Sequence, residues 1–253
     1  MTAQRGQQDV SLARMVAAQT RLEVTLAFRR AEGILVTLII PSALLLFLGT
    51  VPVIPAEGAS RVDFLVPGLI ALSVISSSLV ALGIATGFER YYHVLKRLGG
   101  SPLPRPALIL SKMLSTLTIE AVQIALLGLI GWLVFGWVPR GPVWLAVPAL
   151  ILGTSAFAGI GLWLAGTLRA EGTLAVTNGL YLLLMALGGT IFPLSVLPSS
   201  LAQVAGYLPA AALSEFLRAA LIPGSEVHWG SVMVLAVWAV VTPAGAAMSF
   251  SWD

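Results

Sequence analysis

Residues 64–87 read FLVPGLIALSVISSSLVALGIATG, twenty-four positions without one charged side chain. A helix rises about 1.5 Å per residue, so this run is long enough to cross the roughly 30 Å hydrocarbon core of a bilayer. The chain around it has the same character. It has 253 residues, 58% of them hydrophobic and 10% charged, and a mean hydropathy of +0.95. Soluble domains carry roughly 25% charged residues, so these charges are too few to cover a water-facing surface. The sequence therefore predicts a polytopic membrane protein in place of a soluble all-α protein with a very large core.

Five further apolar runs flank the first one, at 33–51, 107–137, 143–168, 172–192 and 229–250. The expected architecture is all-α and integral to the membrane, with six transmembrane helices in one domain covering 1–253. The segment 193–222 is semi-apolar and interrupted by Pro193, Pro198 and Pro209, with Pro223 just beyond it. Bare irregular backbone cannot face lipid, so this segment reads as two short helices dipping in as a re-entrant hairpin against protein. Residues 11–28 form no span. Leu12, Met15, Val16, Gln19, Leu22 and Leu26 fall near helical spacing, with Arg14, Arg21 and Thr25 elsewhere. That pattern predicts an amphipathic helix lying in the membrane interface. The chain start has no apolar h-region, which argues against a secretory signal peptide.

Orientation follows from lysine and arginine placement. Arg5, Arg14, Arg21, Arg29, Arg30, Arg90, Lys96, Arg97, Arg105, Lys112 and Arg169 fall on one side, and Arg61, Arg140 and Arg218 on the other. Eleven against three puts both termini in the cytoplasm of a cell whose inner (plasma) membrane holds the chain. The net charge of +3 gives no reason to invoke nucleic acid. There are no cysteines, which excludes thiol catalysis and cysteine metal sites. His93 and His228 stand alone, without a metal-ligand pattern.

The loop after 64–87 is ERYYHVLKRLGGSPLPRPALILSK, residues 89–112. Phe88 to Leu98 mixes apolar, aromatic and charged residues and predicts a short amphipathic helix. Gly99 and Gly100 stop it, and SPLPRP turns the chain back, because each proline restricts the residue before it. An ordinary positive-inside loop explains the basic residues but not the paired tyrosines. Exposed aromatics beside arginines suit a protein interface.

The stretch FERYYHVLKRLGGSPLPRPALILSKML resembles the cytoplasmic loop of type-2 ABC exporter permeases. GGTIFPLSVLPSSLAQVAGYLPAAALSEFLRAAL is similar to the late segment of the same family, with its Phe-Pro-Leu step, later prolines and terminal arginine. The resemblance covers essentially the whole chain. Tyr91, Tyr92 and His93 depart from it, standing where an acidic residue and a glycine are usual. Ala210, Ala211 and Ala212 depart from it too, standing where bulkier residues are usual.

The resemblance implies that 89–100 is a coupling helix docking on a separate ABC ATPase subunit, present in two copies. Its contacts would come from Glu89, Arg90, Tyr91, Tyr92, Val94, Leu95, Lys96 and Leu98. A second permease chain, identical or related, would complete the transporter. No G-x-x-x-x-G-K-[ST] phosphate loop is present, so the chain binds no cofactor of its own in this reading, and ATP and Mg belong to the partner. The implied function is the permease subunit of an exporter for a drug, lipid or glycan. The rival readings are a proton-coupled secondary carrier, which would want inverted repeats and several intramembrane acids, and a lipid-modifying membrane enzyme, which would want a polar catalytic cluster.

Several further residues call for a role. Glu120 lies within a span, where an ionisable group is costly and faces protein or water, and Gln123 is one turn away. The pair either lines a translocation path or dimer seam, or hydrogen-bonds a neighbouring helix. Asn178 reads as a bond between helices or, alternatively, a contact on the path. Ser76, Ser77, Ser78, Gly159 and Gly161 are small residues that permit close helix packing. Trp132, Trp137, Trp144 and Trp229 read as interface anchors. Glu215 and Arg218, three apart, either pair or form an outer gate with Phe192 and Pro193.

The basic asymmetry generates a first prediction. A cysteine introduced by Arg97→Cys will react with a membrane-impermeant maleimide only from the cytoplasmic side. Labelling from outside intact cells overturns the orientation.

Overall fold

The computed structural model describes residues 11–29, 31–51, 60–100 and 103–249. Every regular element among them is helical. In chain order these are α1 (Leu12–Arg29), α2 (Ala31–Thr50), α3 (Arg61–Ile75), a π segment (Ser76–Ala81), α4 (Leu82–Tyr91), α5 (Val94–Gly99), α6 (Arg105–Phe135), α7 (Ala146–Thr167), α8 (Ala170–Leu187), α9 (Ser199–Gly206), α10 (Pro209–Leu221) and α11 (Trp229–Ser249). Short 3-10 turns cover Val143–Leu145 and Leu194–Val196.

Five of these stretches are long and apolar enough to cross a membrane: Arg61–Tyr91, Arg105–Phe135, Val143–Thr167, Ala170–Leu187 and Trp229–Ser249. The expected span at 33–51 falls on α2, whose described apolar stretch Thr37–Thr50 is shorter. The expected span at 172–192 ends earlier, at Leu187, because Gly188 caps α8 and Gly189 turns the chain at φ 63°.

The rod formed by α3, the π segment and α4 is the centre of the molecule. Leu65 through Ile75 are all buried. A helix that is apolar on every face belongs inside, and α2, α6, α7 and α10 surround this one. Ser60 starts it, its hydroxyl accepting from the Asp63 amide at 3.2 Å, as an N-cap does. In the π segment the Leu82 amide reaches back five residues to the Ser77 carbonyl.

Small residues set how closely the helices approach. Gly161 faces the π segment, and a Cβ there would lie 2.8 Å from the Leu79 carbonyl oxygen. Across the α7–α11 contact, Ser155 donates to the Ala239 carbonyl at 2.7 Å and Thr242 to the Ala156 carbonyl at 2.8 Å. The alanines at 210–212 have a similar role. They lie buried at the start of α10, and the Ala210 methyl would be 2.5 Å from a Cβ on Gly188. Bulkier side chains would push α10 away from the turn after α8.

Three expectations need correction. The loop helix expected from Phe88 to Leu98 is broken. The span continues through Tyr91, His93 adopts a left-handed φ of 58°, and α5 starts afresh at Val94. Trp137 is no interface anchor. It is buried beside Gly131 in the main apolar cluster, whereas Trp132, Trp144 and Trp229 are exposed. The apolar face expected on α1 divides. Val16, with Met15 and Gln19, turns toward the protein, and Leu12, Leu22 and Leu26 turn outward.

Gly159 makes another tight approach, with a Cβ position 2.5 Å from the Pro243 backbone nitrogen. Gly159→Ala will therefore force α7 and α11 apart and lower stability by about 1–3 kcal/mol. The check is thermal unfolding of the purified chain in detergent, where an unchanged melting temperature refutes the close contact.

Candidate functional site

The chemistry-bearing residues gather in three places, beginning with the end of the rod where α4 meets α5. Tyr91 and Tyr92 are 58% and 64% exposed. Their rings meet edge to face at 5.1 Å, and Phe88 stacks on Tyr92 at 6.3 Å. Val94, Lys96 and Arg97 are also exposed. The other members of the expected docking set point elsewhere. Leu95 is fully buried with Val16, Leu103, Ala107 and Leu108, and Leu98 packs against that cluster. Arg90 donates to the carbonyls of Gly166 and Leu168, clamping the turn between α7 and α8. Glu89 turns inward to Lys112. The eight residues therefore do not form one exposed face: Tyr91, Tyr92, Val94 and Lys96 point out, while Glu89, Arg90 and Leu95 hold the segment to the chain. A left-handed His93 rotates α5 relative to α4, which no helical wheel drawn through 88–98 anticipates.

Lys112 was counted among the loop's basic residues in the sequence. In the fold it is almost fully buried on α6. Its ammonium lies 2.7 Å from Glu89 of α4 and 3.2 Å from Glu23 of α1. Gln19 donates to the same Glu23 carboxylate at 2.9 Å. Charge-assisted bonds of this kind are strong, and a buried ammonium is tolerable only when it is so paired. Glu23 and Glu89 are distant in sequence from Lys112 and from each other, so local spacing carried no sign of the triad.

The second place is the interior of the bundle at the π segment. Ser78 donates to one oxygen of Glu120 at 2.6 Å and Thr154 of α7 donates to the other at 2.5 Å. Ser77 donates to the Gln123 carbonyl at 2.8 Å, while the Gln123 amide nitrogen is buried without a partner among the described residues. Glu120 and Gln123 are therefore enclosed among α6, α7 and the π segment and line no exposed face in this conformation. The wide turn of the π segment lets two consecutive serines both reach α6, and π turns often sit at functional sites. Among the described residues, Asn178 makes no bond to another helix. It is exposed and donates to the Leu174 carbonyl of its own helix at 2.8 Å.

The third place is the opposite end. Glu215 and Arg218 do not hydrogen-bond to each other. Glu215 accepts from Ser231 of α11. Arg218 donates to the carbonyls of Gly189 and Thr190 and lies 3.9 Å over the Phe64 ring. Both residues thus tie α10 to its neighbours. Phe192 is exposed and Pro193 is half-buried, just after the turn that Arg218 pins.

The Lys112 triad makes a quantitative prediction. Removing one member of a buried ion pair leaves an unpaired buried charge, at a cost of about 3–5 kcal/mol. Lys112→Met will lower the melting temperature sharply, and adding Glu89→Gln to it will restore part of the loss. An additive or larger loss in the double variant refutes the pairing.

Comparison with known proteins bears on the whole assembly. The profile of the ABC-2 type transporter family matches residues 16–222. A Bacillus subtilis (strain 168) protein named "Putative transport permease YvfS" is 27% identical over 232 residues, which cover 86% of this chain and 89% of that protein. A Dictyostelium discoideum protein named "ABC transporter G family member 20" is 25% identical over 186 residues, 71% of this chain, and the match spans only 25% of that longer protein. The helical bundle of the described residues with its membrane-crossing lengths, its central rod uncharged from Phe64 to Gly87, and the family match over residues 16–222 lead to one conclusion: this chain belongs to the ABC-2 type transporter family and is a membrane permease of that kind.

Proposed function

We propose that this chain is the transmembrane permease of an ATP-driven exporter that moves a drug, lipid or glycan-type substrate out of the cytoplasm. Two copies of a separate ABC ATPase, carrying ATP and Mg, drive it, and a second permease chain, identical or related, faces it. In this reading α2 supplies a sixth crossing, residues 193–222 form the outer re-entrant hairpin, and α1 lies in the inner interface of the plasma membrane with Leu12, Leu22 and Leu26 toward lipid. Both termini are cytoplasmic, in keeping with the placement of the basic residues.

The observation that carries the proposal is the two-sidedness of residues 89–100. Tyr91, Tyr92 and Val94 offer an exposed aromatic and apolar face, suited to a pocket on a partner. The other side is locked to three parts of the bundle: by Leu95 to the α1–α6 cluster, by Glu89 to Lys112 and by Arg90 to the turn before α8. A push delivered to the tyrosines would be divided among α1, α6 and α8. That is the mechanical requirement for coupling hydrolysis to a change of access at a permease interface.

Aromatic anchors buried in a partner's pocket commonly cost about 2 kcal/mol or more on truncation, and rim charges cost less. Tyr91→Ala with Tyr92→Ala will leave the permease inserted and folded. It will weaken retention of the ABC ATPase that co-purifies with the wild-type chain, or uncouple hydrolysis from transport in reconstituted vesicles. Lys96→Ala will have a smaller effect. Full assembly and normal substrate-stimulated hydrolysis in the double variant overturn the coupling role.

A further inference from the structure

A groove with a cavity of about 170 Å³ opens between α1, α2, the π segment, α4 and α6. Its polar lining has an uneven chemistry. The Glu23 and Glu89 carboxylates, which accept only, stand at one end. Four hydroxyls line the groove, those of Thr37, Ser77, Ser115 and Thr116, and the last three have committed their protons. Ser115 and Thr116 both donate to the Lys112 carbonyl, at 2.8 Å and 2.9 Å, and Ser77 donates to Gln123 at 2.8 Å. The Lys112 ammonium is directed to the two carboxylates. Among the described residues, the groove thus presents a surplus of acceptors and one negative charge beyond the ammonium. Its remaining walls include the apolar Leu26, Leu82 and Ile119, the last two standing seven residues, about 10 Å along a helix, from Glu89 and Lys112 on α4 and α6.

We propose that this groove binds an amphiphile with a primary ammonium head and an apolar tail. The head supplies what the lining lacks, namely a positive charge and three N–H donors, which the carboxylate and hydroxyl oxygens would accept. A quaternary ammonium has the charge but no N–H, and an alcohol has one donor and no charge, so neither satisfies the lining. The tail lies along the apolar walls toward the lipid on the α1 side. The ligand comes either from the membrane itself, as the headgroup of an aminophospholipid, or from a free alkylamine. This binding goes beyond the transport reading and needs no ATPase, so its failure leaves that reading untouched.

The test uses the full chain in phosphatidylcholine nanodiscs with radiolabelled dodecylamine, compared with dodecyltrimethylammonium and dodecanol. Hydrogen bonds to charged groups are the strong ones, so dodecylamine will bind saturably and about tenfold or more tighter than either analogue. Glu23→Gln will weaken binding. The double change Ser115→Ala with Thr116→Val will weaken it too, and this variant keeps every member of the Lys112 triad, so its folding is protected. Melting temperatures of all variants separate lost binding from lost structure. Replacing part of the phosphatidylcholine by phosphatidylethanolamine identifies the source: competition assigns the site to the lipid, and its absence assigns it to a free amine. Equal affinity for dodecylamine and dodecyltrimethylammonium, or unchanged binding in a folded Ser115→Ala, Thr116→Val variant, overturns the proposal.

Discussion

The ammonium of Lys112 is buried in an otherwise apolar assembly, 2.7 Å and 3.2 Å from two carboxylates that arrive on different helices. Taking an ammonium out of water costs several kcal/mol even after the surroundings relax. The cost is offset only if Glu23 and Glu89 are both in place. This one requirement fixes α1 along α6 and fixes the end of α4 beside both. Leu95 then closes on Val16, Leu103 and Leu108, and α5 inherits its orientation from that contact. The exposed tyrosines are thus positioned by a charge balance that lies on the far side of the helix from them. The same carboxylates leave acceptors at the rim of a groove, so a structural pairing also sets the chemistry of a cavity.

The central rod depends on a different physical rule. From Leu65 to Ile75 it is buried on all sides, and close approaches to it run through glycines: Gly161 against the Leu79 carbonyl and Gly68 against the Thr190 carbonyl. Two arginines fasten it near its ends, each by donating to backbone carbonyls. Arg90 holds Gly166 and Leu168, just before α8, and Arg218, stacked over Phe64, holds Gly189 and Thr190, just after α8. The helix α8 is therefore tethered at both flanks to the one rod, although its own outward side is largely exposed. Midway along the rod, the π segment turns Ser77 and Ser78 to Gln123 and Glu120. The costly intramembrane acid is satisfied by hydroxyls in place of a counter-ion.

The sequence by itself determined that the chain is helical and membrane-crossing, because uncharged runs of bilayer length have few other fates. It also determined where most helices lie, since glycines, prolines and charges punctuate them, and it carried the family through the stretch after residue 87 and the late proline-rich segment. What it could not determine was partnership across distance. Whether Glu215 met Arg218, whether Asn178 bridged helices and whether Lys112 lay in water all depended on which residues the fold brought together. The answers were Ser231, the carbonyl of Leu174, and two glutamates far away in sequence. The docking set divided for a related reason. One left-handed residue, His93, changed the face that α5 presents, and helical periodicity says nothing across such a break. Element identity is written in local hydrophobic pattern, which is additive along the chain. Side-chain chemistry in a low-dielectric interior is decided by the nearest few groups, and only the tertiary structure chooses them.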